Sequence, residues 1–72
     1  MTNTALLEDL IQKSGLKKSY LAEKAGMSLA WFRACCINKG EFRESQMDAI
    51  ARELGVDDPA LFVAIFFAPN GA

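Results

Sequence analysis

The 72-residue sequence has no histidine, one tryptophan, two prolines and two cysteines, and each scarcity removes a class of chemistry. Without histidine there is no side chain that titrates near neutrality to serve as a general base. The chain also lacks a glycine-rich phosphate loop and a carboxylate pair set in an apolar surround, so Ser14, Ser19, Ser28 and Ser45 have no partner that would activate them. A non-enzyme is expected. The cysteines are neighbours, Cys35 and Cys36, which do not easily reach disulfide geometry along one helix. With no histidine and no second cysteine pair, a closed metal site lacks ligands, and no cofactor is expected. Both thiols read as small apolar groups; a redox role, the alternative, has only Arg33 beside it to favour a thiolate. The longest apolar run, residues 60–68, is far too short to span a bilayer, and Glu8 and Asp9 interrupt the apolar stretch near Met1. A soluble, cytoplasmic chain with no membrane partner is the expectation.

What the chain does have is apolar content, 51% of its residues. One domain is all this length allows, and folding at this size buries only roughly 60% of the unfolded surface, so the core must be dense and pairing with a second copy is a standing expectation. Net charge is −1, which at first speaks against a polyanionic partner. Its distribution does not. Residues 13–43 hold Lys13, Lys17, Lys18, Lys24, Arg33, Lys39 and Arg43 against Glu23 and Glu41, whereas the remainder sets Arg52 against seven acidic side chains. A chain polarised in this way can present one positive face; two ordinary solvated surfaces are the plainer alternative.

Helical spacing recurs along the chain. Leu7, Leu10 and Ile11 follow a capping Asn3 or Thr4 and precede Gly15, which predicts a helix over 4–14. "KKSYLAEKAG" is a short second helix closed by Gly26. Ser28 opens a third, running to about Ile37 before the loop "NKGEF". Met47, Ile50, Ala51 and Leu54 define a fourth, stopped by Gly55, and "DDP" starts a fifth with Asp58 as cap and Pro59 at the first helical position. The expected core is Leu7, Leu10, Ile11, Leu21, Ala22, Met27, Phe32, Cys36, Met47, Ile50, Leu54 and Leu61.

The third helix carries the question of function. Ala22 must be small where two helices cross, Gly26 supplies a tight turn, and apolar residues at 21, 25, 27, 32 and 36 close a wedge over about residues 18–37. That is a helix-turn-helix arrangement, which holds its second helix outward for a groove. "GLKKSYLAEKAGMS", "FRACCINKGEF" and "QMDAIARELGV" resemble the lambda-repressor-like regulators of the Cro and phage-repressor type, most closely the short Cro-like proteins of Gram-positive phages and prophages, over about residues 5–68. The resemblance implies a compact all-α five-helix DNA-binding domain, chain 1–72, that regulates transcription as a homodimer on a double-stranded DNA operator.

Carried onto this chain, the recognition helix is 28–37, with Ser28, Leu29, Ala30, Arg33 and Ala34 at slots that face bases or nearby phosphates, while Lys18 stands where the family commonly has a glutamine that touches the backbone. Lys17, Lys39 and Arg43 complete the expected phosphate contacts. The departure is in chemistry: the family usually has Arg, Gln, Asn, Ser or Thr where this chain has Leu29, Ala30 and Ala34. Only Ser28 and Arg33 offer hydrogen-bonding edges, the rest being methyl surface. Trp31 either flanks the core or wedges against a sugar, with partial burial favoured. "LFVAIFFA" is apolar all round; with Leu61 and Ile65 facing the domain, Phe62, Phe66 and Phe67 are left for dimerisation unless a small core absorbs the rings. The second functional reading is a protein-interaction module of antirepressor kind, docking the apolar third helix on another regulator.

Overall fold

Asn3, Ser28 and Asp58 place three of the five helix starts. Each side-chain oxygen accepts from a backbone N–H of the first turn: Leu6 at 3.0 Å, Trp31 at 3.1 Å and Ala60 at 3.0 Å. The computed structural model, described over residues 1–69, contains α1 (Thr4–Ser14), α2 (Lys18–Lys24), α3 (Leu29–Cys36), α4 (Glu44–Leu54) and α5 (Pro59–Phe66). The protein is thus all-helical over the described residues, and residues 70–72 of the expected domain lie outside them. α1 and α4 both end on glycines at φ +73°, a left-handed conformation that costs glycine nothing. Strand propensity in "LFVAIFF" yields to the Asp-Pro start, and the segment is helix as far as Phe66. No helix among the described residues is long and apolar enough to cross a membrane.

The helices enclose one core. Leu7 and Ile11 of α1, Leu21 and Ala22 of α2, Phe32, Cys35 and Cys36 of α3, Ile50 and Ala51 of α4, and Ile65 and Phe66 of α5 are all buried. Between α3 and α4 the loop residue Phe42 joins them, its ring edge-on to both Phe32 and Phe66 at centroid distances of 5.8 Å. Such aromatic pairs contribute about 0.5–1.5 kcal/mol beyond the area they bury. Leu10, Met47, Leu54 and Leu61, expected inside, instead lie half-buried around this cluster. Phe42, Cys35, Ala51 and Phe66 are buried in their place, with α5 turning its Ile65–Phe66 edge inward. Phe66 is therefore not available for dimerisation: it is 2% exposed and belongs to the core.

The first three residues tie the two ends of the fold together. Asn3 N–H donates to Ile65 C=O at 2.7 Å and Met1 C=O accepts from Ala68 N–H at 2.8 Å, fixing the chain start along the end of α5. Between them Thr2 is buried, and its backbone exchanges two hydrogen bonds of 2.9 Å with the side-chain amide of Asn38. Asn38 sits just after α3 at φ +62°, a conformation that asparagine tolerates better than most residues. Through these bonds the loop after α3 is held to α5.

Candidate nucleic-acid interface

α2 and α3 meet across the turn formed by residues 25–28. Gly26 adopts φ +69°, and Met27 N–H returns to Ala22 C=O at 2.8 Å, so the chain reverses within the turn. Ala22 is 1% exposed at this crossing. A larger side chain would separate the helices. α3 then packs on the body through Phe32, Cys35 and Cys36, one stripe at i, i+3, i+4. The opposite stripe, at 30, 33, 34 and 37, holds Ala30, Arg33, Ala34 and Ile37. Of these Ala30, Arg33 and Ile37 are exposed and Ala34 is half-buried. The expected recognition surface is accordingly bare at Ala30 and Arg33, with Ala34 the first of three exceptions. Leu29 is half-buried, being one turn from Phe32, and the Ser28 hydroxyl oxygen is occupied with capping.

The cations divide into paired and unpaired. Lys13 meets Asp9 at 2.9 Å, Lys24 lies 5.5 Å over the Tyr20 ring, and Lys18 meets Glu8 of α1 at 2.7 Å. The last pair bears on the site. Lys17 and Lys18 open α2, where the helix dipole disfavours positive charge and no acidic residue occupies the first turn. Glu8 supplies from α1 the anion that α2 lacks. Lys18 is thus partly neutralised inside the protein, whereas Lys17, Arg33, Lys39 and Arg43 are exposed and have no carboxylate partner among the described residues. The Arg43 backbone N–H is accepted by Gln46 Oε1 at 2.8 Å, which orders the start of α4 and leaves the guanidinium outside. Across the back of α2, Tyr20 donates to Glu53 of α4 at 2.6 Å; this bond is the largest cause raising the phenol above its usual pKa.

Neither thiol takes part. Burial pushes the Cys36 thiol up to about 12 and raises Cys35 as well, so both stay protonated beneath α3. α5 leaves Ala60, Val63, Ala64 and Phe67 exposed at i, i+3, i+4, i+7, a stripe with no polar side chain. Of the three aromatic residues expected there, Phe67 is 54% exposed, Phe62 is half-buried with its ring 5.0 Å from that of Phe66, and Phe66 is inside.

Two residues near α3 had no part in the sequence reading. Asn38 takes the left-handed backbone that an asparagine shortly before a glycine after a helix signals. Gly40 lies against Trp31, whose ring fills the place a side chain would take. Trp31 itself is more open than expected, at 47%.

No family model, characterised protein or solved structure matches this chain.

Proposed function

We propose that the chain is a sequence-specific DNA-binding transcriptional regulator of the lambda-repressor-like helix-turn-helix kind, similar to short Cro-like phage proteins. In this reading α3 enters the major groove. The observation that carries it is the way α3 is held. One stripe of the helix is in the core, the opposite side presents exposed Ala30, Arg33 and Ile37, and Lys17, Arg33, Lys39 and Arg43 are exposed with no carboxylate partner among the described residues. Unpaired ammonium and guanidinium groups, together with an exposed helix face, suit a polyanion with a groove of helical width.

Arg33 takes a guanine edge through two parallel hydrogen bonds, and the Ala30 methyl lies against a thymine methyl. Lys17, Lys39 and Arg43 contact phosphates, with Lys18 contributing after it exchanges Glu8 for phosphate. Self-association through the Ala60–Phe67 stripe of α5 gives a homodimer with two α3 helices for a two-fold operator.

Selection from a random duplex pool at two salt concentrations tests this. The expected result is an enriched palindrome whose affinity falls with salt at a log–log slope of about −0.9 per phosphate contacted. Arg33→Ala costs about 1–3 kcal/mol and relaxes one base pair in each half-site. Ile37, an apolar side chain of the same stripe that is 57% exposed, favours the second reading, a protein-interaction module that docks α3 on another regulator. Absence of any enriched duplex, together with loss of a protein complex in Ile37→Asp, decides for that reading.

A further inference from the structure

Gly40 is not required by its own backbone, since its φ is not among the positive values adopted by Gly15, Gly26 and Gly55. A side chain there would have to displace the Trp31 ring. A Cβ placed on Gly40 would stand 2.6 Å from Trp31 Cη2, 2.8 Å from Cζ2 and 3.1 Å from Cζ3, all atoms of the six-membered ring. The benzo end of the indole is thus seated on the loop backbone. The pyrrole end is not engaged: the indole N–H has no acceptor among the described residues, and the side chain is 47% exposed in spite of its seat. An aromatic ring held at one edge, with a donor at the other and no acceptor function of its own, is pre-oriented toward an external acceptor.

Its place on α3 says which acceptor. Trp31 and Arg33 lie about 100° to either side of the buried Phe32, so they flank the face of exposed Ala30 and half-buried Ala34 from opposite sides. A helix lying in the major groove has a sugar–phosphate wall on each flank. The Trp31 flank is also the one reached by the loop that carries Lys39, the residue before Gly40. We propose that Trp31 is a DNA-contact residue, its ring covering a deoxyribose and its indole N–H donating to a phosphate oxygen, with Gly40 as the residue that positions the ring. This rests on the DNA-binding reading above.

Trp31 is the sole tryptophan, so its emission reports on the site directly. In the free protein, Gly40→Ala is expected to displace the ring and shift its emission to longer wavelength; unchanged emission would remove the seat and the proposal with it. With a mixed-sequence duplex at low salt as probe, the wild-type emission is expected to change on saturation. Trp31→Phe keeps an aromatic body and loses the N–H, so affinity falls about three- to tenfold, the scale of one neutral hydrogen bond. The slope of affinity against salt stays unchanged because no charge is removed, which separates Trp31 from the lysines. Equal melting temperatures for Trp31→Phe and wild type exclude unfolding as the cause. Binding by wild type with unaltered emission, or an affinity for Trp31→Phe within about twofold of wild type, overturns the contact and leaves DNA binding standing. Failure of wild type to bind any duplex overturns both.

Discussion

At the scale of single residues, the positions that were hardest to read are those whose reason lies far along the chain. Caps are local: Asn3, Ser28 and Asp58 were legible because each serves an N–H two or three residues on. Asn38 serves Thr2, 36 residues away, and nothing in a local window announces it. Phe42 is similar, a loop residue that becomes core only once α3 and α5 close on it. Asn38→Gly keeps the left-handed backbone and removes only the amide, so a loss of about 1–3 kcal/mol in urea unfolding is expected for breaking its two bonds to Thr2. Asn38→Ala loses more, since alanine adds the strain of positive φ. The buried thiols give a second prediction. Cys36 is raised to about 12 in the folded chain, so folding retains a proton that the unfolded chain releases near pH 9. The stabilisation is therefore fully present below about pH 9 and is lost as pH rises from there toward 12. Urea midpoints for wild type are expected to fall between pH 8 and pH 10.5, and to fall less in Cys36→Ala. An alkaline limb identical in the variant would remove this thiol as its cause.

At the scale of elements, spacing carried nearly everything. Apolar periodicity, capping side chains and terminal glycines predicted five helices, with α1 over its expected 4–14 and α3 within a residue of its expected 28–37, because those signals act within a turn or two; α4 starts at Glu44, ahead of its first apolar marker Met47, and α5 stops at Phe66, short of the end of its apolar run. The pairing of elements by charge was less visible. Lys18 reads as a phosphate ligand from its place at the start of α2, yet α1 crosses near enough for Glu8 to reach it at 2.7 Å. Both side chains are partly exposed, so the pair itself stabilises the fold by no more than about 1 kcal/mol. Its larger consequence is to withhold one cation from a polyanionic ligand. Glu8→Gln is accordingly expected to leave the melting temperature nearly unchanged while tightening duplex binding several-fold and steepening the salt dependence by up to about one unit. The same substitution in a Lys18→Ala background has no effect on binding. Unchanged salt dependence for Glu8→Gln alone would mean that Lys18 stays clear of phosphate.

At the scale of the whole molecule, the fold divides its apolar surface between a core and two bare helical stripes. A small α-helical chain has too little interior to absorb a segment as apolar as α5. Ile65 and Phe66 go inward, and Val63 and Phe67 remain 53% and 54% exposed. Sequence alone marked this segment as a second-copy surface but could not rank its rings, because a helix apolar on every side has no periodicity from which to tell its faces apart. The distinction makes self-association testable without confusing it with stability. Phe66→Ala opens the aromatic cluster with Phe42 and Phe62 and is expected to cost about 3–5 kcal/mol, enough to threaten folding of so small a chain. Phe67→Ser removes an exposed ring, so its melting temperature at low concentration is expected to stay near that of wild type. Its dimer dissociation constant rises by about tenfold or more, since a ring that loses its cover on separation contributes about 1.5–3 kcal/mol. Sedimentation equilibrium over a range of concentrations measures this. A wild-type chain that stays monomeric at high micromolar concentration would show that the Ala60–Phe67 stripe does not pair. The two-fold arrangement of α3 helices would then have no basis in α5.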